Sequence, residues 1–232
     1  MSLPSFGARS GALELMDTQE PAVDELRGTL RELGLINRRL GGHAVTLEGM
    51  EALLPPGLRR LRVLDVGCGD GEAAAEILVW AESRGLAAEV HGIDPSDAAV
   101  RLSGERTRPG LSFSRRNLFE LPPGEDYDVV HAGLMLHHCP GASASRALSA
   151  MHARARLGVV VNDLHRHPLA WSGIRALTRA LSDDRFIRHD APLSVLRGFR
   201  RPELEALCRD SGLPAPELSW RWAFRWLMVV RR

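Results

Sequence analysis

The segment at residues 63–71, VLDVGCGDG, constrains the fold of this chain more than any other part of the sequence. It follows a short apolar run and precedes a helical pattern, so it predicts a strand, a tight glycine turn and a helix. Glycines in such a turn permit positive φ angles and let a ligand approach the backbone closely. The first amides of the helix attract anionic groups. The segment therefore predicts an α/β unit with a ligand site at its turn.

Apolar runs and helical patterns alternate along the rest of the chain. Strands are predicted at residues 61–66, 88–93, 111–115, 127–132 and 157–163, and helices at 72–84, 96–106, 142–155, 168–182 and 202–211. This alternation is typical of parallel strands with helices on both faces of the sheet. The Trp-rich stretch 217–231 predicts a two-strand antiparallel ending. We therefore expect a doubly wound α/β fold with a mostly parallel seven-stranded sheet and an antiparallel C-terminal strand.

The spacing of the glycines and of two acids indicates the kind of ligand. The pattern is G-x-G-x-G rather than the G-x-G-x-x-G of dinucleotide enzymes. Asp65, inside the strand end, disfavours a pyrophosphate and favours an ammonium group. Asp94 ends the second strand, 23 residues after Gly71, where a carboxylate can accept hydrogen bonds from both hydroxyls of a ribose. S-adenosylmethionine carries both groups and is the predicted cofactor.

At these residues the chain resembles the class I S-adenosylmethionine-dependent methyltransferases, in their small-molecule branch, over about residues 61–163. The matching segments are the glycine loop, GIDPS at 92–96, NLFELP at 117–122, and YDVV at 127–130 with LHH at 136–138. The resemblance implies cofactor contacts from Asp65, Gly67, Cys68, Gly69, Gly71, Asp94, Pro95, Asn117, Leu118 and Leu134. Asn117 stands where the family commonly has Asp, and its carbonyl oxygen can still accept a hydrogen bond from adenine.

The remaining parts of the chain are assigned around this core. We expect a loose leader at residues 1–20, an N-terminal helical lid at 21–56, and a methyltransferase domain at 57–232 with an acceptor-side insertion near 165–200. In the lid, Arg38 is a candidate contact for the methionine carboxylate of the cofactor. The apolar residues of the insertion fit either the core or the wall of an acceptor pocket, and the last tryptophans fit packing on the sheet.

Two histidines are candidates for a general base. A neutral phenol has a pKa near 10, so methylation of its oxygen benefits from a base, usually histidine. The segment NDLHR at 162–166 resembles one in bacterial methyltransferases of polyketide pathways. That resemblance makes His165 the first choice and His138, after the fourth strand, the second. Asp163, His165 and His167 on one short loop are weak evidence for a metal, and none is predicted.

Composition limits the acceptor without naming it. The net charge is +1, and all 30 basic residues are Arg, so a lysine base is excluded and no dense basic stripe indicates nucleic acid. Three cysteines without a C-x-x-C motif predict neither disulfides nor a zinc site. We expect a cytoplasmic enzyme without nucleic-acid or membrane partners, and the sequence allows a homodimer.

O-methylation of an aromatic or polyketide-like hydroxyl is the preferred function. The alternatives are C-methylation of a quinone-type ring, methylation of tRNA or protein, and a non-catalytic cofactor-binding module.

Overall fold

The structure is a computed structural model that describes residues 4–19, 21–122 and 126–232. Its strands are β1 (Arg60–Val66), β2 (Ala87–Asp94), β3 (Leu111–Arg115), β4 (Tyr127–Gly133), β5 (Ala155–Leu164), β6 (Glu217–Arg221) and β7 (Arg225–Arg231). Its helices are α1 (Leu15–Thr18), α2 (Val23–Arg39), α3 (Gly42–Leu53), α4 (Glu72–Ser83), α5 (Asp97–Gly104), α6 (Ala142–Arg154), α7 (Pro168–Leu181), α8 (Arg185–Arg197) and α9 (Arg201–Asp210).

The strands form one seven-stranded sheet in the order β3-β2-β1-β4-β5-β7-β6. Strands β1 to β5 pair in parallel, and β7 runs antiparallel to both of its neighbours. The predicted fold class is therefore confirmed, including the antiparallel C-terminal strand. The strand order reverses between β1 and β4, and in such sheets ligands bind beyond the carboxyl ends of the strands at this reversal.

Each face of the sheet carries its own apolar core because successive side chains point to opposite faces. On one face, Val63 of β1 and Val160 of β5 pack with residues of α3 and α4. On the other, Leu64 and Val159 pack with residues of α6 and α9. The sheet is thus covered on both sides, as doubly wound folds require. This packing fixes the carboxyl edge, where the predicted site residues lie.

Helix α8 in the insertion was not predicted from the sequence. It begins at Arg185, and the carboxylate of the preceding Asp184 accepts hydrogen bonds from the amides of Phe186 and Ile187. Pro192 lies inside this helix and conceals it in the sequence, because proline normally marks a helix boundary. In the predicted lid, α3 begins directly after Gly41, whose φ of 74° permits the sharp turn from α2.

The predicted leader contains ordered structure in its described part. Residues 1–3 and 20 lie outside the described residues. The short helix α1 has its first amides, at Leu15 and Met16, bound to the carboxylate of Asp190 in α8, and Glu14 is only 1% exposed. This packing is not what a loose leader suggests. Within the described part of the chain, no helix has the length and hydropathy to cross a bilayer.

Candidate active site

The glycine loop joins β1 to α4 and is tied to β2. The amides of Gly67 and Cys68 both donate to the carbonyl of Ile93. Gly67, Gly69 and Gly71 have φ angles of 71°, 56° and 79°, which side chains with a Cβ rarely adopt. A Cβ on Gly71 would lie 2.5 Å from the ring of Phe113, whereas one on Gly69 would meet nothing within 4 Å. The loop therefore turns open backbone outward at Gly69.

Asp94 lies at the end of β2 and is held against this loop. Its Oδ2 accepts from the amide of Gly69 at 3.1 Å, and its Oδ1 accepts from the amide of Ser96 at 2.9 Å. Burial raises the pKa of Asp94, and the two amides act against that rise. Pro95, which follows, is exposed. The carboxylate is thus aligned by two backbone groups at the edge where a ribose is predicted.

Asn117 and Leu118 lie just beyond β3 on the same edge. Asn117 is exposed, and its Oδ1 accepts from the amide of Phe119, capping a short 3₁₀ turn. This oxygen is the predicted acceptor for adenine, and the turn-capping bond uses one of its two lone pairs. Leu118 is buried at 6% exposure and its side chain packs into the core. The Asn117 oxygen keeps its second lone pair for a further hydrogen bond.

Asp65 belongs to a buried polar chain that the sequence analysis missed. His131 of β4 is fully buried, and its Nδ1 lies 2.7 Å from Oδ1 of Asp65. Its Nε2 lies 3.2 Å from Oγ1 of Thr46, which accepts a bond from Nδ2 of Asn162 at 3.1 Å. The chain of polar contacts thus runs from Asn162, the donor to Thr46, through His131 to the carboxylate of Asp65. Asp65 Oδ2 and Asn162 Oδ1 are buried and have no hydrogen-bond partner within residues 4–19, 21–122 and 126–232.

Arg38 lies near the end of α2, and Leu134 directly follows β4. Arg38, at the end of α2, pairs with Glu72 at the start of α4, with Nη2 and Oε1 3.0 Å apart. His43, whose Nε2 lies 3.5 Å from Oε1 of Glu72, is the main cause that lowers the pKa of Glu72, and Arg38 adds to it. Leu134 has a φ of 54° and donates its amide to the carbonyl of Asn162 at 2.8 Å. This strained conformation follows β4 directly.

His138 lies beyond β4 in a cluster with the N-terminal segment. Its Nδ1 is 2.9 Å from Oδ1 of Asp17, and its Nε2 is 3.8 Å from Oε2 of Glu14. Burial would raise the pKa of Asp17, but bonds from His138 and Arg197 outweigh it and hold that pKa well below its usual range. His138 also acts electrostatically on Asp94. The structure thus brings His138 and the predicted ribose carboxylate to one edge.

The neighbouring His137 is buried and paired to Asp163. Its Nδ1 lies 2.7 Å from Oδ1 of Asp163, and its ring centroid lies 4.3 Å from that of His138. Burial would raise the pKa of Asp163, yet the charge and hydrogen bond of His137 leave it lowered. Asp163 is 0% exposed, so this pair fixes the carboxyl ends of β4 and β5 relative to each other. The LHH segment and the acid near the end of β5 are the signals of this pair in the sequence.

Ligand atoms of Glu14, His137 and His138 lie within 4.8 Å of one another, a spacing that could hold a metal ion. Nη1 of Arg197 lies 3.6 Å from Oε1 of Glu14, so a cation already faces this carboxylate. Burial raises the pKa of Glu14. The absence of a metal therefore stays a prediction, and it can be tested directly.

His165 lies among aromatic side chains at the β6–β7 hairpin. Its Nδ1 accepts from Nε1 of Trp220 at 3.2 Å, and its ring packs edge-on against Trp226 at 5.1 Å. Burial, followed by the charge of His167, lowers the pKa of His165 to about 4. Among the described residues, none of its recorded contacts is with the glycine loop. Trp226 is buried as the sequence predicts, whereas Trp222 is 68% exposed.

The sequence of this chain is similar to those of known methyltransferases. A family described as "Methyltransferase domain" matches residues 63–158. A ubiquinone biosynthesis O-methyltransferase of Rhodopseudomonas palustris (strain TIE-1) is 33% identical over 179 residues, covering 71% of this chain and 66% of that protein. One from Alkalilimnicola ehrlichii is 34% identical over 125 residues, covering 50% of this chain and 46% of that protein. The chain thus spans at most about two thirds of these relatives.

Solved structures share the fold at low sequence identity. The plantazolicin methyltransferase in complex with S-adenosylhomocysteine has a TM-score of 0.65 at 12% identity, covering 93% of this chain and 91% of that one. The magnesium protoporphyrin IX methyltransferase of Synechocystis PCC 6803, with bound S-adenosylmethionine, has a TM-score of 0.55 at 18% identity, covering 84% and 82%. At such identities the likeness shows the fold alone.

Proposed function

We propose that this chain, which belongs to the class I S-adenosylmethionine-dependent methyltransferases, transfers a methyl group to a small-molecule acceptor, a hydroxyl of an aromatic or polyketide-like compound. The observation that carries the proposal is the bond from the amide of Gly69 to the carboxylate of Asp94, beside open space at Gly69. It aligns a carboxylate at a bare backbone turn, as binding of a nucleoside requires. The relatives named above as O-methyltransferases support oxygen as the acceptor atom.

The residues present fit the cofactor. In the proposal, Asp94 accepts from the ribose hydroxyls, and Asn117 and Leu118 flank the adenine. The buried Oδ2 of Asp65, without a partner in the described structure, suits the ammonium group. The turn of Gly67, Cys68, Gly69 and Gly71 lies along the aminoacyl tail, between Pro95 and Leu134. When bound, the cofactor supplies an activated methyl group on a sulfonium, and the protein aligns the acceptor and excludes water.

Arg38 has a second role in the proposal, as the partner of the methionine carboxylate. It stands 3.0 Å from Glu72 on the first turn of α4, next to the glycine loop. Because its side chain is 57% exposed, it can swing between the two carboxylates at low cost. The segment 21–56 then acts as a lid, while α7 and α8 of the insertion near 165–200 form the acceptor side. The cytoplasmic location and a homodimer stay predictions.

His138 is the better candidate base, which reverses the order that the resemblance gives. Asp17 accepts from Nδ1 of His138 and so leaves Nε2 as the nitrogen able to take a proton. The electrostatic effect of His138 on Asp94 supports a place beside the cofactor. His165 is the second candidate, because its lowered pKa makes it a weak base and its ring packs against His167 and residues of the β6–β7 hairpin.

Calorimetry with S-adenosylhomocysteine tests the proposal. We expect the wild-type protein to bind, and Asp94→Asn to bind about 10- to 100-fold more weakly, since a hydrogen bond to a charged group contributes about 1.5–3 kcal/mol. Asp97→Asn, an exposed acid at the start of α5, is the matched control and should bind as the wild type does. Labelled S-adenosylmethionine offered with phenols, quinols and tRNA then separates the acceptor classes, and methylation of tRNA alone would contradict the proposal.

A further inference from the structure

Arg225, the first residue of β7, is a buried cation with unused donors. It is 3% exposed. Its Nη2 donates to Oδ1 of Asn37 at 2.7 Å, while its Nε and Nη1 are buried and have no hydrogen-bond partner among the described residues. Burial lowers the pKa of Arg225 to about 10, so the guanidinium still carries its charge at neutral pH. A buried charge without a counter-ion is costly, and such groups call for a ligand or a specific role.

Two other buried arginines show how this protein satisfies a structural guanidinium. Arg166 pairs with Glu203 and donates to two backbone carbonyls. Arg197 pairs with Asp17 and donates to the carbonyls that follow β4. Arg225 has no such ion pair in the described chain. Asp163 acts on it only at longer range and is itself bonded to His137.

The place of Arg225 in the sheet relates it to the proposed active site. Arg225 pairs with Leu164 at the carboxyl end of β5. The side chain of its hydrogen-bond partner Asn37 packs so closely against Gly42 that a Cβ at Gly42 would collide with it. The carbonyl of Gly42 accepts a bond from Nδ2 of Asn162 at 2.7 Å. Arg225 and Asn162 therefore both contact the α2–α3 junction of the proposed lid, and the Nε and Nη1 of Arg225 and the Oδ1 of Asn162 have no hydrogen-bond partner in the part of the chain that the structure describes.

We propose that Arg225 and Asn162 bind the methyl acceptor, and that this acceptor is an aromatic hydroxy acid whose carboxylate is held by Arg225. Nη2 of Arg225 donates one of its two hydrogens to Asn37. Its second hydrogen, together with an N–H of Nε or Nη1, can therefore donate two parallel hydrogen bonds to a carboxylate. Asn162 Oδ1, oriented by the bond from Nδ2 to Gly42, accepts from a hydroxyl of the same molecule. This inference rests on the proposed function and names the class of its acceptor.

Binding of paired probes tests the inference. Benzoate, 4-hydroxybenzoate and 1-naphthoate are titrated beside their amides into protein saturated with S-adenosylhomocysteine. We expect at least one acid to bind 10-fold or more tightly than its amide. Arg225→Gln should abolish this preference and keep its affinity for S-adenosylhomocysteine. Arg221→Gln is the matched control, because Arg221 is the cross-strand neighbour of Arg225 and pairs instead with Glu48, and it should keep the preference.

Several outcomes would overturn the inference. One is equal binding of every acid and its amide to the wild type, and another is an unchanged preference for the acid in Arg225→Gln. A third is loss of S-adenosylhomocysteine affinity in a folded Arg225→Gln, which would assign the residue to the cofactor. If Arg225→Gln does not fold, Arg225→Lys is measured. The ratio of its affinity for the acid to its affinity for the amide should fall at least threefold, because an ammonium cannot form the two-point contact. An unchanged ratio contradicts the inference. Failure of the wild type to bind S-adenosylhomocysteine would instead refute the proposed function.

Discussion

Nδ1 of His138 lies 2.9 Å from Oδ1 of Asp17, which joins the end of β4 to a segment 121 residues earlier in the chain. If His138 is the base, His138→Gln should lower kcat by about 100-fold or more, within the range of general-base catalysis. Asp17→Asn should lower it about 10-fold, because the imidazole loses the carboxylate that orients it. Steady-state kinetics, with S-adenosylhomocysteine affinity measured in parallel, check both values.

His189 provides the control for these variants. Its Nδ1 lies 2.7 Å from Asp190, so it forms a similar histidine–aspartate pair, but its side chain is 49% exposed and lies on α8. His189→Gln should keep wild-type turnover. Wild-type turnover in His138→Gln as well would remove His138 as the base and return attention to His165.

Thr46 connects the lid helix α3 to the buried pair of His131 and Asp65. Replacing it with Val removes the hydroxyl that faces His131 and accepts from Asn162. Leaving those buried groups without partners should cost about 1–3 kcal/mol of unfolding free energy. Urea unfolding measures this difference, with Thr107→Val at an exposed position as the control. Equal stability of both variants would mean that the buried chain contributes nothing.

His165 should make the fold sensitive to acid. Its pKa is about 4 in the folded protein against 6.5 as the ordinary value, so the folded state binds fewer protons and its stability falls as pH drops from 6.5 toward 4. Protonation also removes the acceptor that Trp220 uses. Between pH 7 and pH 5, His165→Gln should therefore lose less stability than the wild type. Parallel urea midpoints for the two proteins would contradict this.

A chelator tests the prediction that no metal takes part. Arg197 already faces the carboxylate of Glu14 at 3.6 Å, so we expect dialysis against EDTA to leave turnover and thermal stability unchanged. Adding Zn²⁺ or Mg²⁺ afterwards should restore nothing. A loss of turnover with EDTA that either ion reverses would place a metal between Glu14, His137 and His138.

The fold and the cofactor edge were predictable because their signals are local. The glycine turn, the acid that ends β2, and the alternation of apolar runs with helical patterns each lie within a few residues. α8 was missed because Pro192 interrupts its pattern. The cofactor contacts stay predictions, and the turn-capping bond of the Asn117 oxygen was not foreseen, because turn capping depends on local backbone geometry.

The polar partners were harder to predict because they come from distant parts of the chain. His131 and Asp65 are 66 residues apart, and Arg225 and Asn37 are 188 apart. One local sign was present: His131 interrupts an otherwise buried apolar strand, where a polar residue needs a partner. No comparable sign marks Glu14 or Arg225, since an acid near the N-terminus and an arginine at a strand end are usually exposed.

Gly69 and Gly57 together give the most direct test of the central claim, that the turn after β1 binds the cofactor. Both have positive φ, 56° and 80°, and both have open space where a Cβ would lie. Alanine at either position should lower the free energy of unfolding by a similar amount, about 1–2 kcal/mol. We predict that Gly69→Ala loses calorimetric binding of S-adenosylhomocysteine at least 10-fold while Gly57→Ala keeps it. Equal affinities of the two variants, or no binding by the wild type, would contradict the account.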